Sequence, residues 1–362
     1  MTTIQDIFGT FFIALIIAYG FTPLMRQIAF KIRLIDHPNT KKSHAHPTPL
    51  MGGVAIYMAF FTAVLFTTDF SRAIYGIMLG GTILLVLGMI DDKIGMIPQM
   101  KLSGQIMVAL IAYKFGIRVS TIEDYYLSMF FTVFWIVGIT NAFNLLDNLN
   151  GLSSGIAGIS ALFFALMAWK GSEIYVAVLA AALAGACLGF LKHNFPKANI
   201  FMGDSGSMFL GFTSACIAVL GTWKTDEIGV SLSLPIIVLG YPIFDTTLVT
   251  FIRIIEKRPV FLGGTDHSSH ILASFGFKKK RAVLIIYSIC ALLGLSAYLV
   301  SCSGIKAAGM LVLITAVSMA LFGSYLAYKR LRSRKRFRQS KKSGINKRTK
   351  RDDRMSGKDA GV

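Results

Sequence analysis

Charged side chains are scarce in this 362-residue chain: Asp, Glu, Lys and Arg make up 15% of it, against roughly a quarter in a typical soluble domain. That shortfall excludes an ordinary soluble multidomain protein. Cysteine is scarcer still. Cys187, Cys216, Cys290 and Cys302 show no CxxC spacing, which excludes a zinc ribbon or a disulfide framework; three lie in apolar runs, where a thiol acts as a small hydrophobe. The first apolar stretch, 8–28, has no Lys or Arg before it and no small-residue cleavage site after it. It therefore reads as a retained helix rather than a removable signal peptide. No internal duplication is visible, and the acids gather at one edge of the apolar runs, which disfavours a secondary transporter.

What the chain has is apolar length. Hydrophobic residues reach 54% and the mean hydropathy is +0.63. Apolar segments fall near 8–28, 50–67, 73–90, 102–117, 127–143, 154–169, 173–191, 206–221, 231–251, 281–300 and 305–328. Many approach the roughly 17 to 25 residues needed to cross a bilayer, and a spanning segment must satisfy its own backbone polar groups. The prediction is an all-α polytopic membrane protein with about 11 transmembrane helices (10–11).

Of the net charge of +19, the stretch 329–362 carries +12. Directly after a membrane helix, such a tail is better explained by cytoplasmic retention and contact with anionic lipid than by nucleic acid. This predicts a membrane-embedded domain at 1–328, a basic, disordered cytoplasmic tail at 329–362 and an N-terminus outside. Five polar clusters then face the cytoplasm: KKSHAHPTPLMGG (41–53), DDKIG (91–95), NLLDNLNG (144–151), FMGDSGS (201–207) and GGTDHSSH (263–270). A soluble substrate meeting a lipid at that surface would explain their shared placement.

Their chemistry is that of phosphate and hard cations. Asp91 and Asp92 are adjacent carboxylates that repel unless a cation or hydrogen bonds stabilise them. Asp92, Asp147 and Asp204 are candidate oxygen ligands for Mg²⁺, or Mn²⁺ in its place, since Mg²⁺ commonly takes one or two carboxylates plus substrate phosphates. In FMGDSGS, the side chains of Asp204, Ser205 and Ser207 could cap the helix that follows. His267 and His270, three apart, could share a helical face and bind phosphate or carry protons. Arg258 lies upstream in the same connection. Lys42 and His44, in a proline-stiffened stretch, could guide an anionic headgroup or cover a base.

The motifs GMIDDKIGMIPQMKLSGQ, NAFNLLDNLNGLSSG, FMGDSGSMFLGF and PVFLGGTDHSSHIL occur in this order. Together they resemble the polyprenyl-phosphate N-acetylhexosamine-1-phosphate transferases, the integral membrane family that also contains the phospho-MurNAc-pentapeptide transferases. The likeness extends from about Asp36 to about Leu284.

The resemblance implies a Mg²⁺-dependent phosphoglycosyltransferase of the bacterial plasma membrane, with its active site on the cytoplasmic face. It would convert a UDP-N-acetylhexosamine and undecaprenyl phosphate into undecaprenyl-diphospho-N-acetylhexosamine and UMP, at the start of O-antigen, teichoic acid or exopolysaccharide synthesis. By the same resemblance, Asp204 is the principal metal ligand, and Asp91 and Asp92 orient the lipid phosphate. Asn144 and Asp147 support the metal–diphosphate arrangement, Phe201 and Asn150 approach the uridine, and His267 works on the phosphate side. Three departures from the family pattern are present: Gly95 replaces the last acid of DDxxD, DNLNG stands for DGLDG, and HSSH stands where the muropeptide enzymes have HHH. The last favours a GlcNAc-type donor over phospho-MurNAc-pentapeptide. Apolar helix faces leave room for a homodimer.

Overall fold

The computed structural model describes residues 4–38, 46–68, 71–223, 228–259, 264 and 266–356. Lys42 and His44 lie outside the described residues. Thirteen helices and one minimal hairpin are present among those described.

The helices are α1 (Ile4–Lys31), α2 (Gly52–Thr67), α3 (Arg72–Ile94), α4 (Pro98–Lys114), α5 (Tyr125–Leu146), α6 (Leu152–Lys170) and α7 (Ile174–Asn194). They continue as α8 (Gly203–Leu220), α9 (Ile228–Val238), α10 (Gly240–Ile255), α11 (Ser268–Ser274), α12 (Lys279–Cys302) and α13 (Ile305–Ser356). Ten of the eleven apolar segments read from the sequence fall largely on one helix each, and 231–251 is divided between α9 and α10. Eight are long and apolar enough to cross a membrane, and α9 with α10 makes a ninth if that bent pair is one span. The shorter α2 and α4 have 16 and 17 residues. The chain is thus an all-α, multi-pass membrane protein. The boundary at 328/329 falls inside α13, which runs on without a break.

Local chemistry sets several boundaries. Ser71 caps α3 by accepting from the Ile74 amide, and Asp124 caps α5 by accepting from Leu127 at 2.8 Å. Pro98 opens α4, where its missing N–H costs nothing. Between α9 and α10 the axis turns by 75° at Leu239, four residues after Pro235, which lies inside α9 and cannot donate a backbone hydrogen bond.

The interior is built on α7 and α8. Their most apolar windows are 78% and 83% buried, whereas that of α13 is only 6% buried, so α13 shows its apolar side to lipid. The Ala- and Gly-rich sequence of α7 lets α1 and α6 pack closely on it. The N-terminus of α8 is pressed between α2 and α3. A Cβ on Gly53 would sit 2.3 Å from the Gly206 nitrogen, and one on Gly88 would sit 2.2 Å from the Ser205 Cα. No larger residue fits at either point.

The hairpin pairs β1 (Ile35–Asp36) with β2 (Thr48–Pro49), antiparallel. It continues into the FMGDSGS stretch: the Phe201 amide donates to Pro49 O at 2.8 Å, and the Gly52 amide donates to Phe201 O at 2.9 Å.

Candidate active site

Three helix ends meet at one side of the bundle: the C-terminal ends of α3 and α5 and the N-terminal end of α8. The adjacent carboxylates of α3 divide their work. Asp91 is buried, accepts from the Met96 amide at 2.5 Å and pairs with Lys101. Asp92 turns the other way and accepts from the main-chain nitrogens of Asp204 (2.8 Å) and Ser205 (3.3 Å).

Asp92 therefore caps α8 from a neighbouring helix, in place of the capping by Asp204, Ser205 and Ser207 expected from the sequence. The hydroxyls of Ser205 and Ser207 instead donate to Met202 O and Asp204 O. The turn requires Gly203: its φ is +76°, and a Cβ there would lie 2.4 Å from Oδ2 of Asp92.

Freed from capping, the Asp204 carboxylate faces the junction. Its Oδ2 accepts from Lys101 Nζ at 2.6 Å, and its Oδ1 accepts from Asn144 Nδ2 at 3.0 Å. Asn144 Nδ2 also lies 2.9 Å from Ser207 Oγ. Lys101 thus bridges Asp91 and Asp204. Sequence reasoning passed over it because a lysine at a helix start near a membrane surface is commonplace, although it stood within the quoted DDKIGMIPQMK stretch.

Asp147 follows the last residue of α5. Its carboxylate has no hydrogen-bond or ion-pair partner among the described residues, and burial together with the Asp204 and Asp92 carboxylates pushes its pKa up to about 8. Four carboxyl groups and one ammonium meet here, and a hard cation would favour the charged forms of carboxyl groups that otherwise repel one another. Among the described residues no three His, Cys, Asp or Glu side chains are grouped closely enough to hold a metal by themselves. A site completed by substrate phosphates is the arrangement Mg²⁺ commonly takes.

Beside this cluster lies a cavity of about 230 Å³. Asn150 and Phe201 both line it, with His46, Lys197, Lys279 and Lys280. Asn150 lies three residues beyond Asp147, and Phe201 three before Asp204. Asn150 donates to Pro196 O at 3.4 Å.

The histidine motif forms the third part. His267 is buried, and its Nδ1 lies 2.8 Å from Oδ2 of Asp245 on α10. Asp245 Oδ1 accepts from the Ser268 amide at 2.7 Å and from the Ser268 hydroxyl. Asp245 was missed in the sequence, where its signal was an isolated acid inside an apolar run. His270 lies 6.4 Å from His267, ring to ring; burial, His267 and Lys279 lower its pKa. The Ser269 hydroxyl donates to Asn148 Oδ1 at 2.7 Å, which joins this motif to the NLLDNLNG loop. Arg258 pairs with Glu256 (2.6 Å) and Asp266 (2.9 Å).

The chain is similar in sequence to known proteins. Residues 74–222 match the family model described as glycosyl transferase family 4. A probable undecaprenyl-phosphate N-acetylglucosaminyl 1-phosphate transferase of Bacillus subtilis is 34% identical, over 86% of this chain and 89% of the relative. An undecaprenyl-phosphate alpha-N-acetylglucosaminyl 1-phosphate transferase of Thermotoga maritima is 32% identical, over 78% and 88%. A phospho-N-acetylmuramoyl-pentapeptide-transferase of Bacillus licheniformis is 31% identical, over 68% and 81%.

Proposed function

Since the chain belongs to the polyprenyl-phosphate N-acetylhexosamine-1-phosphate transferase family, we propose that it moves GlcNAc-1-phosphate from UDP-GlcNAc to undecaprenyl phosphate. The products are undecaprenyl-diphospho-GlcNAc and UMP. The step starts a cell-envelope polysaccharide at the cytoplasmic face of a bacterial plasma membrane. The observation that carries this reading is the meeting of Asp91, Asp92, Asn144, Asp147 and Asp204 at three helix ends, beside a cavity shared by Asn150 and Phe201.

Asp204, Asp147 and Asp92 would hold Mg²⁺ together with the donor diphosphate. When bound, the ion offsets phosphate charge and polarises the phosphorus under attack. The chain's own residues do the rest. Phe201 and Asn150 receive the uridine, while Lys279 and Lys280 line the same cavity. Lys101 and Asn144 fix the Asp204 carboxylate. Asp91 and Asp92 orient the lipid phosphate. An oxygen of that phosphate attacks the donor phosphorus attached to the sugar; the bond from this phosphorus to the bridging oxygen breaks, and UMP leaves.

Direct in-line attack is the route adopted, because the lipid phosphate is itself the nucleophile and no covalent intermediate on Asp91, Asp92 or Asp204 is needed. His267, its ring set by Asp245, serves the phosphate side. An apolar groove of about 560 Å³ between α10 and α13, lined by Ile243, Phe244, Phe251 and Met319, suits a polyprenyl chain. Residues 1–328 form the membrane-embedded transferase, and 329–362 extend it into the cytoplasm.

Purified protein given Mg²⁺, undecaprenyl phosphate and UDP-GlcNAc should release UMP and form a lipid-linked sugar. Asp204→Asn should lower turnover sharply; near-normal turnover removes the proposed role of Asp204.

A further inference from the structure

His267 is held from both sides along the chain, and one of those holds comes from the last helix. On its C-terminal side, the Ser268 amide donates to Asp245. On its N-terminal side stands Asp266, fully buried. Its Oδ1 accepts from Arg330 Nη2 of α13 at 3.0 Å. Its Oδ2 lies 2.9 Å from Arg258 Nη2 and 3.5 Å from Arg253 Nε. Three guanidiniums from α10, the turn after it and α13 therefore converge on one carboxylate.

A carboxylate at this depth persists in its charged form only when it is well paired. Burial opposes its ionisation, but the hydrogen bonds from Arg330 and Arg258 prevail and hold its pKa below the ordinary value. α13 also grips the far end of α11. Tyr325 lies 6.2 Å, ring to ring, from Phe275, which ends α11. Two residues five apart on α13 thus bracket the seven-residue helix that follows His267. Because the apolar window of α13 is only 6% buried, such contacts weigh heavily in setting where this helix stands.

We propose that Arg330 is a positioning residue for the transfer reaction: through Asp266 it fixes the backbone at His267, so the catalytic unit reaches into the first turn of the basic extension of α13. The inference rests on the reading of His267 as a phosphate-side residue. A surface arginine that merely touched lipid would have no reason to end on a fully buried carboxylate next to that histidine. An arginine that bound the donor itself would act on donor affinity instead, and independently of Asp266.

The test uses the full-length protein in lipid nanodiscs and two measurements. The first is the rate at which diethylpyrocarbonate modifies His267, followed by peptide mass spectrometry. The second is UMP release from UDP-GlcNAc with undecaprenyl phosphate. Arg330→Gln should speed His267 modification several-fold and lower kcat by about tenfold to a hundredfold, the scale of a small misplacement far from the chemistry, with KM for UDP-GlcNAc unchanged. Arg330→Lys should recover most of both. Adding Arg330→Gln to Asp266→Asn should cost little more than Asp266→Asn alone.

Wild-type modification of His267 in Arg330→Gln overturns the inference, whatever happens to turnover. So does a rise in KM alone, or losses that simply add. Should Arg330→Gln fail to fold, Arg330→Met and Arg330→Lys are compared by the same criteria. The modification rate needs no sugar nucleotide, so the two failures differ: an inactive donor panel counts against the transferase reading and takes this inference with it, whereas wild-type modification of His267 in an active Arg330→Gln enzyme counts against this inference alone.

Discussion

The main-chain nitrogen of Asp204 lies 2.8 Å from Oδ1 of Asp92, so one carboxylate of the DD pair caps the helix that carries the carboxylate opposite it. This contact ties α3 to α8 and fixes where Asp204 points. Asn at 92 keeps one acceptor for the α8 amides, and Ala keeps none. Asp92→Ala should cost about 1 kcal/mol of stability, the usual value of an N-cap, and Asp92→Asn less. Turnover should fall in both, since both lack the charge. Thermal unfolding and UMP release check this: equal stability losses speak against the cap, and full turnover against a chemical role.

Gly88 is where α3 lets α8 come close. An added methyl group would meet Ser205 Cα at 2.2 Å and Asp204 C at 2.7 Å. These are backbone atoms of the site and cannot swing away. Gly88→Ala should destabilise by about 1–3 kcal/mol, as overpacking does, and should lower turnover by shifting Asp204. Gly9→Ala, which meets nothing within 4 Å inside α1, is the control: it should leave turnover unchanged and raise stability by at most about 1 kcal/mol, the helix preference for Ala over Gly.

Lys101 holds Asp91 and Asp204 together with a single ammonium. Removing that charge leaves neighbouring carboxylates to repel one another, and a divalent cation then has more repulsion to relieve. Lys101→Met should therefore have a lower melting temperature in EDTA and a larger upward shift on adding Mg²⁺ than wild type. Differential scanning fluorimetry with and without Mg²⁺ measures both. An unchanged Mg²⁺ shift would separate Lys101 from the cation site.

His270 gives a pH prediction whose sign is fixed by its lowered pKa. The unfolded chain protonates this side chain first as pH falls through the ordinary histidine value of 6.5, and so gains stability relative to the folded state. Above that value both states are neutral and no penalty exists. Stability should decline as pH drops below 6.5, until the folded state is protonated as well. His270→Gln should lose less melting temperature than wild type between pH 7 and pH 5; parallel curves would contradict the shift.

The acidic side of the site was legible because it rests on short-range patterns. Asn144 and Asp147, three apart, fall together near Asp204 as the end of one helix requires, and FMGDSGS announced the turn into α8. Asn141 shares their spacing yet donates to Gln105 on α4 at 2.6 Å, one turn short of the site. The partners of the motifs were not legible. Asp245 finds His267 across 22 positions, Lys101 finds Asp204 across 103, and Arg330 finds Asp266 across 64. Such pairs are decided by how helices pack, and periodicity carries no record of that. The bend between α9 and α10 was hidden in one continuous apolar run, although Pro235 and Gly240 stood within it.

The central claim is that the cluster around Asp204 serves transfer of a sugar phosphate onto a polyprenyl phosphate. The most direct measurement supplies the purified, folded protein with Mg²⁺, undecaprenyl phosphate and, separately, UDP-GlcNAc, UDP-GalNAc and UDP-MurNAc-pentapeptide. UMP release and lipid product are scored together. The account predicts both products with UDP-GlcNAc, in excess over UDP-MurNAc-pentapeptide, and sharply less of both with Asp204→Asn. UMP release and lipid-linked product with UDP-MurNAc-pentapeptide alone would contradict the donor assignment, and no lipid-linked product from any donor would contradict the claim itself.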